Sequence, residues 1–378
     1  MNIKRTIQAK IEEKLFKGKV IILYGARQVG KTTLCKEILN NYDGTKAYFS
    51  CDEPSVKDAL TDKNSLELKR FVGGKKLIVI DEAQRVKNIG ITLKLLVDNY
   101  PETQIIATGS SSFDLSNKIN EPLTGRNFEF HLHPFSFEEL SDGQTILDSG
   151  RFLQEKMIYG WYPDIVVRSE DRQDALKKLA TDYLYRDALL YQNIRKPDVL
   201  EKLLRLLALQ IGNEVSMREL SLNLELSKET VEWYIRLLEQ AFIVFRLPPL
   251  GRNKRKEVTR LQKIYFYDIG IRNALIDNFN QLDSRNDIGQ MFENLAIMEI
   301  KKQIENNNLS KKMYFWRTKS QAEVDLVLEE QQKLFGFECK WKKETFYPPT
   351  AWKLEFPETS FESITKDTLD KILESIKK

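Results

Sequence analysis

The sequence predicts an α/β protein: a parallel-sheet core with its chemistry at the carboxyl ends of the strands, followed by smaller helical and α/β modules. Three observations carry that prediction. Lys19-Val20-Ile21-Ile22-Leu23-Tyr24, Leu77-Ile78-Val79-Ile80 and Gln104-Ile105-Ile106-Ala107 are short apolar runs, each ending in glycine, acids or small polar residues, as strands buried on both faces do. Thr33-Leu34-Cys35-Lys36-Glu37-Ile38-Leu39 follows the first run with helical spacing. Finally, 378 residues exceed one ordinary core, so roughly two to four domains are expected.

The loop between the first run and its helix is Gly25-Ala26-Arg27-Gln28-Val29-Gly30-Lys31-Thr32, a phosphate-binding P-loop at every fixed position. Glycines at both ends let the loop wrap so that backbone N–H groups face an oxyanion, and the helix that follows adds its positive end. In such a loop Lys31 reaches the β- and γ-phosphates and the Thr32 hydroxyl ligates Mg²⁺, with Thr33 completing the nucleotide contact. The second run ends in Asp81-Glu82. Behind a P-loop, Asp81 is expected to hold the metal shell and Glu82 to act as general base on the attacking water. ATP and Mg²⁺ are the expected cofactors.

Composition narrows the class. Apolar residues are 42% of the chain, charged residues 30%, and the net charge is +4. Disorder is therefore not indicated, and the charge is too small to establish a nucleic-acid partner. Cys35, Cys51 and Cys339 form no CxxC pair, which points to a reducing compartment and away from zinc. His131 and His133 flank one leucine on an apparent strand, so no histidine triad is expected. With no membrane-length apolar run and no apolar signal core in Met1-Asn2-Ile3-Lys4-Arg5, the expectation is a soluble cytoplasmic protein without a membrane partner.

Five motifs recur in a fixed order: the P-loop through Thr33, Asp81-Glu82-Ala83-Gln84, Thr108-Gly109-Ser110-Ser111, Leu123-Thr124-Gly125-Arg126, and Pro134-Phe135-Ser136-Phe137-Glu138-Glu139. In this the chain resembles the bacterial and archaeal AAA+ superfamily ATPases that carry an uncharacterised C-terminal domain. The resemblance implies ATP binding and hydrolysis. It makes Ser110 a sensor of the γ-phosphate; the competing reading is a cap formed by Ser110, Ser111 or Ser112. It makes Arg126 a candidate arginine finger or sensor, which acting in trans requires a homo-oligomer; the competing reading is a salt bridge or a carbonyl-capping arginine.

Residues 1–150 are thus assigned to the ATPase core and 151–198 to a helical lid or bridge, in which Tyr185-Arg186-Asp187 resembles a family signature. Residues 199–256 read as helix, helix, turn, helix, strand, the winged-helix order, with Ser216 and Glu219 as a capping box and Ser227 as a cap. Lys228, Glu229, Glu232 and Arg236 give the third helix a mixed face, whereas a DNA reader should be more basic. Arg252, Lys254, Arg255, Lys256 and Arg260 would supply backbone contacts, or form a solvated linker. DNA or RNA and a protein partner are both left as occupants of this module.

Residues 257–378 are read as a nuclease-like α/β domain. Glu323-Val324-Asp325-Leu326-Val327-Leu328 and Leu334-Phe335-Gly336-Phe337-Glu338-Cys339-Lys340-Trp341 read as strands joined by a tight turn at Gln331-Gln332, which brings Asp325 near Glu338. Asp, then Glu-x-Lys, on a hairpin is the core of the PD-(D/E)-x-K nuclease fold. Asp325, Glu338 and Glu293 from a preceding helix would hold one or two Mg²⁺ or Mn²⁺ ions, with Lys340 orienting water. Glu-x-Lys alone decides nothing, since Glu67-Leu68-Lys69 also matches. The competing reading is a nuclease-shaped domain whose ion pairs are structural.

Overall fold

A computed structural model of the chain describes residues 3–109, 122–141, 146–168, 170–190, 197–251, 261–342 and 346–377. These form two compact units, Met1–Phe135 with Gln240–Phe242, and Ser136–Glu239 with Ile243–Lys378.

In the first unit, β1 (Val20–Tyr24), β2 (Lys46–Ser50), β3 (Leu77–Asp81), β4 (Gln104–Gly109) and β5 (Asn127–His131) make a wholly parallel sheet in the order β2-β3-β4-β1-β5. The α/β prediction holds. β1, β3 and β4 are buried at every residue, which is why their sequences are unbroken apolar runs. The edge strands β2 and β5 are only partly covered, and their sequences mix polar with apolar residues accordingly. Tyr24 pairs with Gly109 and Ile80 with Ala107, so the carboxyl ends of β1, β3 and β4 finish level. Glu67 of the decoy Glu-x-Lys sits in the helix Ser65–Val72, where it closes a capping box with Asn64.

From Ser136 to Glu239 the chain makes its contacts within the second unit. The Phe137 N–H donates to Glu299 Oε2 at 2.6 Å, and Gln303 Nε2 and Lys377 Nζ donate to Glu138 at 2.8 and 2.9 Å.

In the second unit the helices Pro197–Leu209, Met217–Leu224 and Lys228–Gln240 accompany a three-stranded sheet. Its strands are β6 (Glu214–Val215), β7 (Val244–Leu247) and β8 (Gln262–Phe266), antiparallel in the order β6-β8-β7. Val231, Tyr234, Ile235 and Leu238 are buried as their spacing predicts. The Ser216 capping box is only half formed: Ser216 Oγ accepts the Glu219 N–H, but the Glu219 carboxylate turns to Gln210. Ser227 Oγ accepts the Thr230 N–H at 3.2 Å. The basic run 252–260 lies outside the described residues, as do the side chains of Tyr185, Arg186 and Asp187.

The long helix Ile288–Asn306 is buried around most of its circumference. Beside it lie β9 (Lys312–Arg317), β10 (Glu323–Glu330), β11 (Lys333–Cys339) and β12 (Ser360–Ile364), in the order β12-β11-β10-β9. β10 pairs antiparallel with both β9 and β11, and β12 runs parallel to β11. The β10–β11 turn is Gln331-Gln332 as expected, both with positive φ (48° and 70°), the backbone of a two-residue turn that follows the strand twist.

Candidate functional site

The P-loop leaves β1 beside the chain that follows β5. A Cβ on Gly25 would stand 2.3 Å from the Leu132 carbonyl oxygen, so only glycine fits there. Gly30, with φ of 98°, then turns the chain into the helix Lys31–Asn40. Ala26 and Val29 are buried, Arg27 is half-buried, and Gln28 and Thr33 are exposed. Lys31 is buried and folds back over the loop, donating to the Gly25 and Ala26 carbonyls at 2.8 Å each. The ammonium therefore sits inside the loop, where a phosphate would take over from the carbonyls.

Asp81, at the end of β3, collects three hydroxyls. Thr32 Oγ1 and the Tyr48 hydroxyl donate to Oδ2 at 2.7 and 2.5 Å, and Thr108 Oγ1 donates to Oδ1. Burial first, then the carboxylate, pushes the Tyr48 phenol above its ordinary range, so it stays a donor. Glu82 follows in the left-handed region (φ 54°), with its N–H on Thr108 Oγ1 at 3.1 Å and its Oε2 accepting from Gln84 Nε2 at 2.6 Å. A carboxylate and a hydroxyl meeting behind a backbone phosphate cradle are hard oxygen donors of the kind Mg²⁺ selects, so the residues present fit Mg-ATP.

Sequence reasoning missed Tyr48, Thr108 and Arg5. Arg5 is buried, donates to the Val29 carbonyl at 2.8 Å and to the His133 carbonyl at 2.6 Å, and lies over the Phe135 ring. It ties the outside of the P-loop to the segment after β5. Its signal was weak: one arginine ahead of an amphipathic turn.

Two assigned residues remain. Ser110 is outside the described residues. Arg126 precedes β5, whose register on β1 runs from Val20↔Asn127 to Tyr24↔His131. It therefore sits level with Lys19, just before β1 begins, about 20 Å of strand from where the P-loop starts. Its Nε pairs with Asp98 at 2.8 Å, an exposed contact. Within one chain Arg126 does not serve the P-loop.

The C-terminal acids do converge. β10 shifts register on β9 between Val324 and Val327, which includes Asp325. Leu326 pairs with Phe337, which sets Asp325 across from Glu338, and Asp325 Oδ2 accepts the Cys339 N–H at 2.9 Å. Glu293 enters from the helix Ile288–Asn306, fixed by its neighbour Asn294, whose amide brackets Phe266 of β8 with two hydrogen bonds at 2.8 and 2.9 Å. Lys340 Nζ stands 3.0 Å from Glu338 Oε1, while Glu338 Oε2 is buried without a hydrogen-bond partner. Burial first, then Glu293 and Glu338, pushes the Asp325 carboxyl well above the usual carboxylate range.

The cation among them was not foreseen. Lys263, on β8, is 1% exposed and places Nζ 2.8 Å from Glu293 Oε1, against Glu323, and 3.9 Å from Asp325 Oδ1. Tyr265, two residues on along the same strand, donates to the same Glu293 oxygen at 2.5 Å. Burial alone would lower the lysine pKa, but the three carboxylates outweigh it and raise it. The oxygens a divalent ion needs are thus partly taken, and among the described residues no three His, Cys, Asp or Glu side chains are grouped to hold a metal. The donor chemistry suits Mg²⁺ or Mn²⁺; the arrangement with Lys263 in place does not. A lysine and a tyrosine alternating with Ile264 and Phe266 were the available signal.

No helix among the described residues is long and apolar enough to cross a membrane. A family model described as an AAA domain matches residues 17–141, and two domains of unknown function, DUF8612 and DUF4143, match 150–282 and 288–347. The uncharacterized protein Rv2008c of Mycobacterium tuberculosis is 30% identical over 344 residues, covering 89% of this chain and 74% of that protein. The uncharacterized protein MJ1544 of Methanocaldococcus jannaschii is 27% identical over 365 residues, covering 90% and 79%. Among solved structures, Pif1 helicase from Candida albicans aligns with a TM-score of 0.26 and 14% identity over 48% of each chain, too distant to carry an argument.

Proposed function

We propose that the chain, which belongs to the same family as the uncharacterized protein Rv2008c of Mycobacterium tuberculosis and carries an AAA domain over residues 17–141, binds and hydrolyses Mg-ATP with the residues gathered at the ends of β1, β3 and β4. The observation that carries this is Asp81, buried and joined to the P-loop through Thr32. Lys31 would turn from the Gly25 and Ala26 carbonyls to the β- and γ-phosphates, and Thr32 and Asp81 would hold a Mg²⁺ ion, whose contribution would be to neutralise charge on the phosphate oxygens. Glu82, oriented by Gln84, accepts a proton from water as it attacks the γ-phosphorus and the bridging P–O bond breaks. Arg126 serves the site of a second copy, and Ser110 senses the γ-phosphate.

For the second unit, two readings follow. A metal-dependent nuclease is supported by the β12-β11-β10-β9 order and the convergence of Glu293, Asp325 and Glu338. An ATP-switched regulatory or scaffolding module that binds a protein partner without catalysis is favoured by Lys263 among those carboxylates. The β6-β8-β7 sheet behind three helices supports the winged-helix reading. On its third helix Glu232 and Glu239 pair with Arg246 of β7, and Glu232 also with Arg236, so the face is mixed in charge and not basic, which suits protein docking better than phosphate contact.

One set of assays tests both levels. Lys31→Ala should lose nucleotide binding, and Glu82→Gln should keep it while turnover falls by about a hundredfold or more. Undiminished turnover in Glu82→Gln would remove the base assignment. DNA and RNA cleavage in Mg²⁺ or Mn²⁺, lost in Asp325→Ala, would establish the nuclease; ATP turnover with no cleavage would establish the switch.

A further inference from the structure

Lys263 does more than neutralise one neighbour. Its ammonium touches Glu293 from the long helix and Glu323 from β10, stands 3.9 Å from Asp325, and lies 5.6 Å from the centroid of the Phe315 ring of β9. Arg317 Nε extends the chain of charge from Glu323 at 3.4 Å, and its Nη1 reaches Glu214 of β6 at 3.3 Å. The lysine is thus delivered by one sheet into the carboxylates of the other, buried where water cannot stand in for a missing partner. A divalent ion in a nuclease of this type would need oxygens from the same side chains, and an ammonium already bound to Glu293 and Glu323 competes with it for those oxygens and for the same negative charge.

We propose that the Lys263 ammonium is the resident cation of this cluster, taking the place of the divalent ion that the nuclease-like reading requires, so that Mg²⁺ or Mn²⁺ enters only where Lys263 is removed. The proposal rests on the nuclease-like reading only for where an ion would sit, and not on the ATPase assignment. Glu338 Oε2, buried and unpartnered at the edge of the cluster, is the acceptor left for an incoming ion once the lysine is gone.

The test is Mn²⁺ binding to the full, nucleotide-free chain, read from the electron paramagnetic resonance signal of free Mn²⁺. Wild type and Asp325→Asn should bind alike. Lys263→Met should take up one additional Mn²⁺ per chain, at least about tenfold more tightly than wild type, and Lys263→Met with Asp325→Asn should lose it. A Mn²⁺ bound by wild type and lost in Asp325→Asn would overturn the proposal. That comparison needs no Lys263 variant, so it decides the matter even where Lys263→Met does not fold. ATP turnover by the same preparations reports separately on the P-loop assignment.

Discussion

Thr108 opens the Thr108-Gly109-Ser110-Ser111 motif without an assigned role, yet it joins the two acids of the ATPase site. Its hydroxyl donates to Asp81 and accepts the Glu82 N–H at 3.1 Å, and the side chain is fully buried. Removing it should disturb where the two carboxylates point more than it disturbs the phosphate cradle, which Lys31 and the loop backbone form. Thr108→Val keeps the shape and deletes both bonds. We expect turnover to fall by about tenfold to a hundredfold with ATP affinity nearly unchanged, and Thr108→Ser to restore most of the loss. Equal losses in affinity and turnover would make Thr108 a packing residue. The sequence showed Asp81 and Glu82 because acids at the end of an apolar strand behind a P-loop are a local pattern. Thr108 and Tyr48 escaped because they reach Asp81 only through strand order, which residue spacing does not encode. Lys263 escaped for the same reason, its partners lying on a helix and a strand that begin 25 and 60 residues later.

Among the elements, the helix Ile288–Asn306 organises the second unit, and its start is held by charge. Asp287, just before it, accepts from Arg272 Nη1 at 2.5 Å and from Arg285 Nε and Nη2 at 2.8 and 2.7 Å. Burial opposes ionisation, but the two guanidinium groups prevail and hold its pKa down to about 2. A folded-state pKa below the unfolded value stabilises the fold above the unfolded pKa of about 4, and that contribution fades as pH falls from about 4 toward 2. The urea midpoint of the second unit should therefore drop across that window. Asp287→Asn should flatten the drop and lower the midpoint at pH 7, since Arg272 and Arg285 are left buried without their counter-charge. An unchanged acid limb would show that other carboxylates govern it. Legibility followed burial here as well. β1, β3 and β4 stood out because both faces are covered, whereas the edge strands β2 and β5 carry mixed sequences that periodicity does not separate from loops. The β10–β11 hairpin was found because its turn is only two residues long and Asp325, Glu338 and Lys340 flank it.

At the scale of the whole molecule, the position of Arg126 bears on how many chains make one ATPase. Strand register puts it at the opposite end of the sheet from Lys31, so any part it takes in hydrolysis requires a second copy. Its contact with Asp98 is exposed, and an exposed pair of this kind contributes about 1 kcal/mol or less, so a competing anion can draw the guanidinium away. Turnover per chain should accordingly rise with protein concentration. Arg126→Ala should abolish the rise while leaving the dilute rate unchanged. Mixing Arg126→Ala with Lys31→Ala offers the sharper comparison: each is impaired alone, but an interface pairing the intact P-loop of one with the intact arginine of the other is complete. Activity recovered on mixing fixes Arg126 as a residue supplied in trans. A per-chain rate flat with concentration, and no recovery on mixing, reduces Arg126 to the surface partner of Asp98 and makes the single chain the unit that hydrolyses ATP.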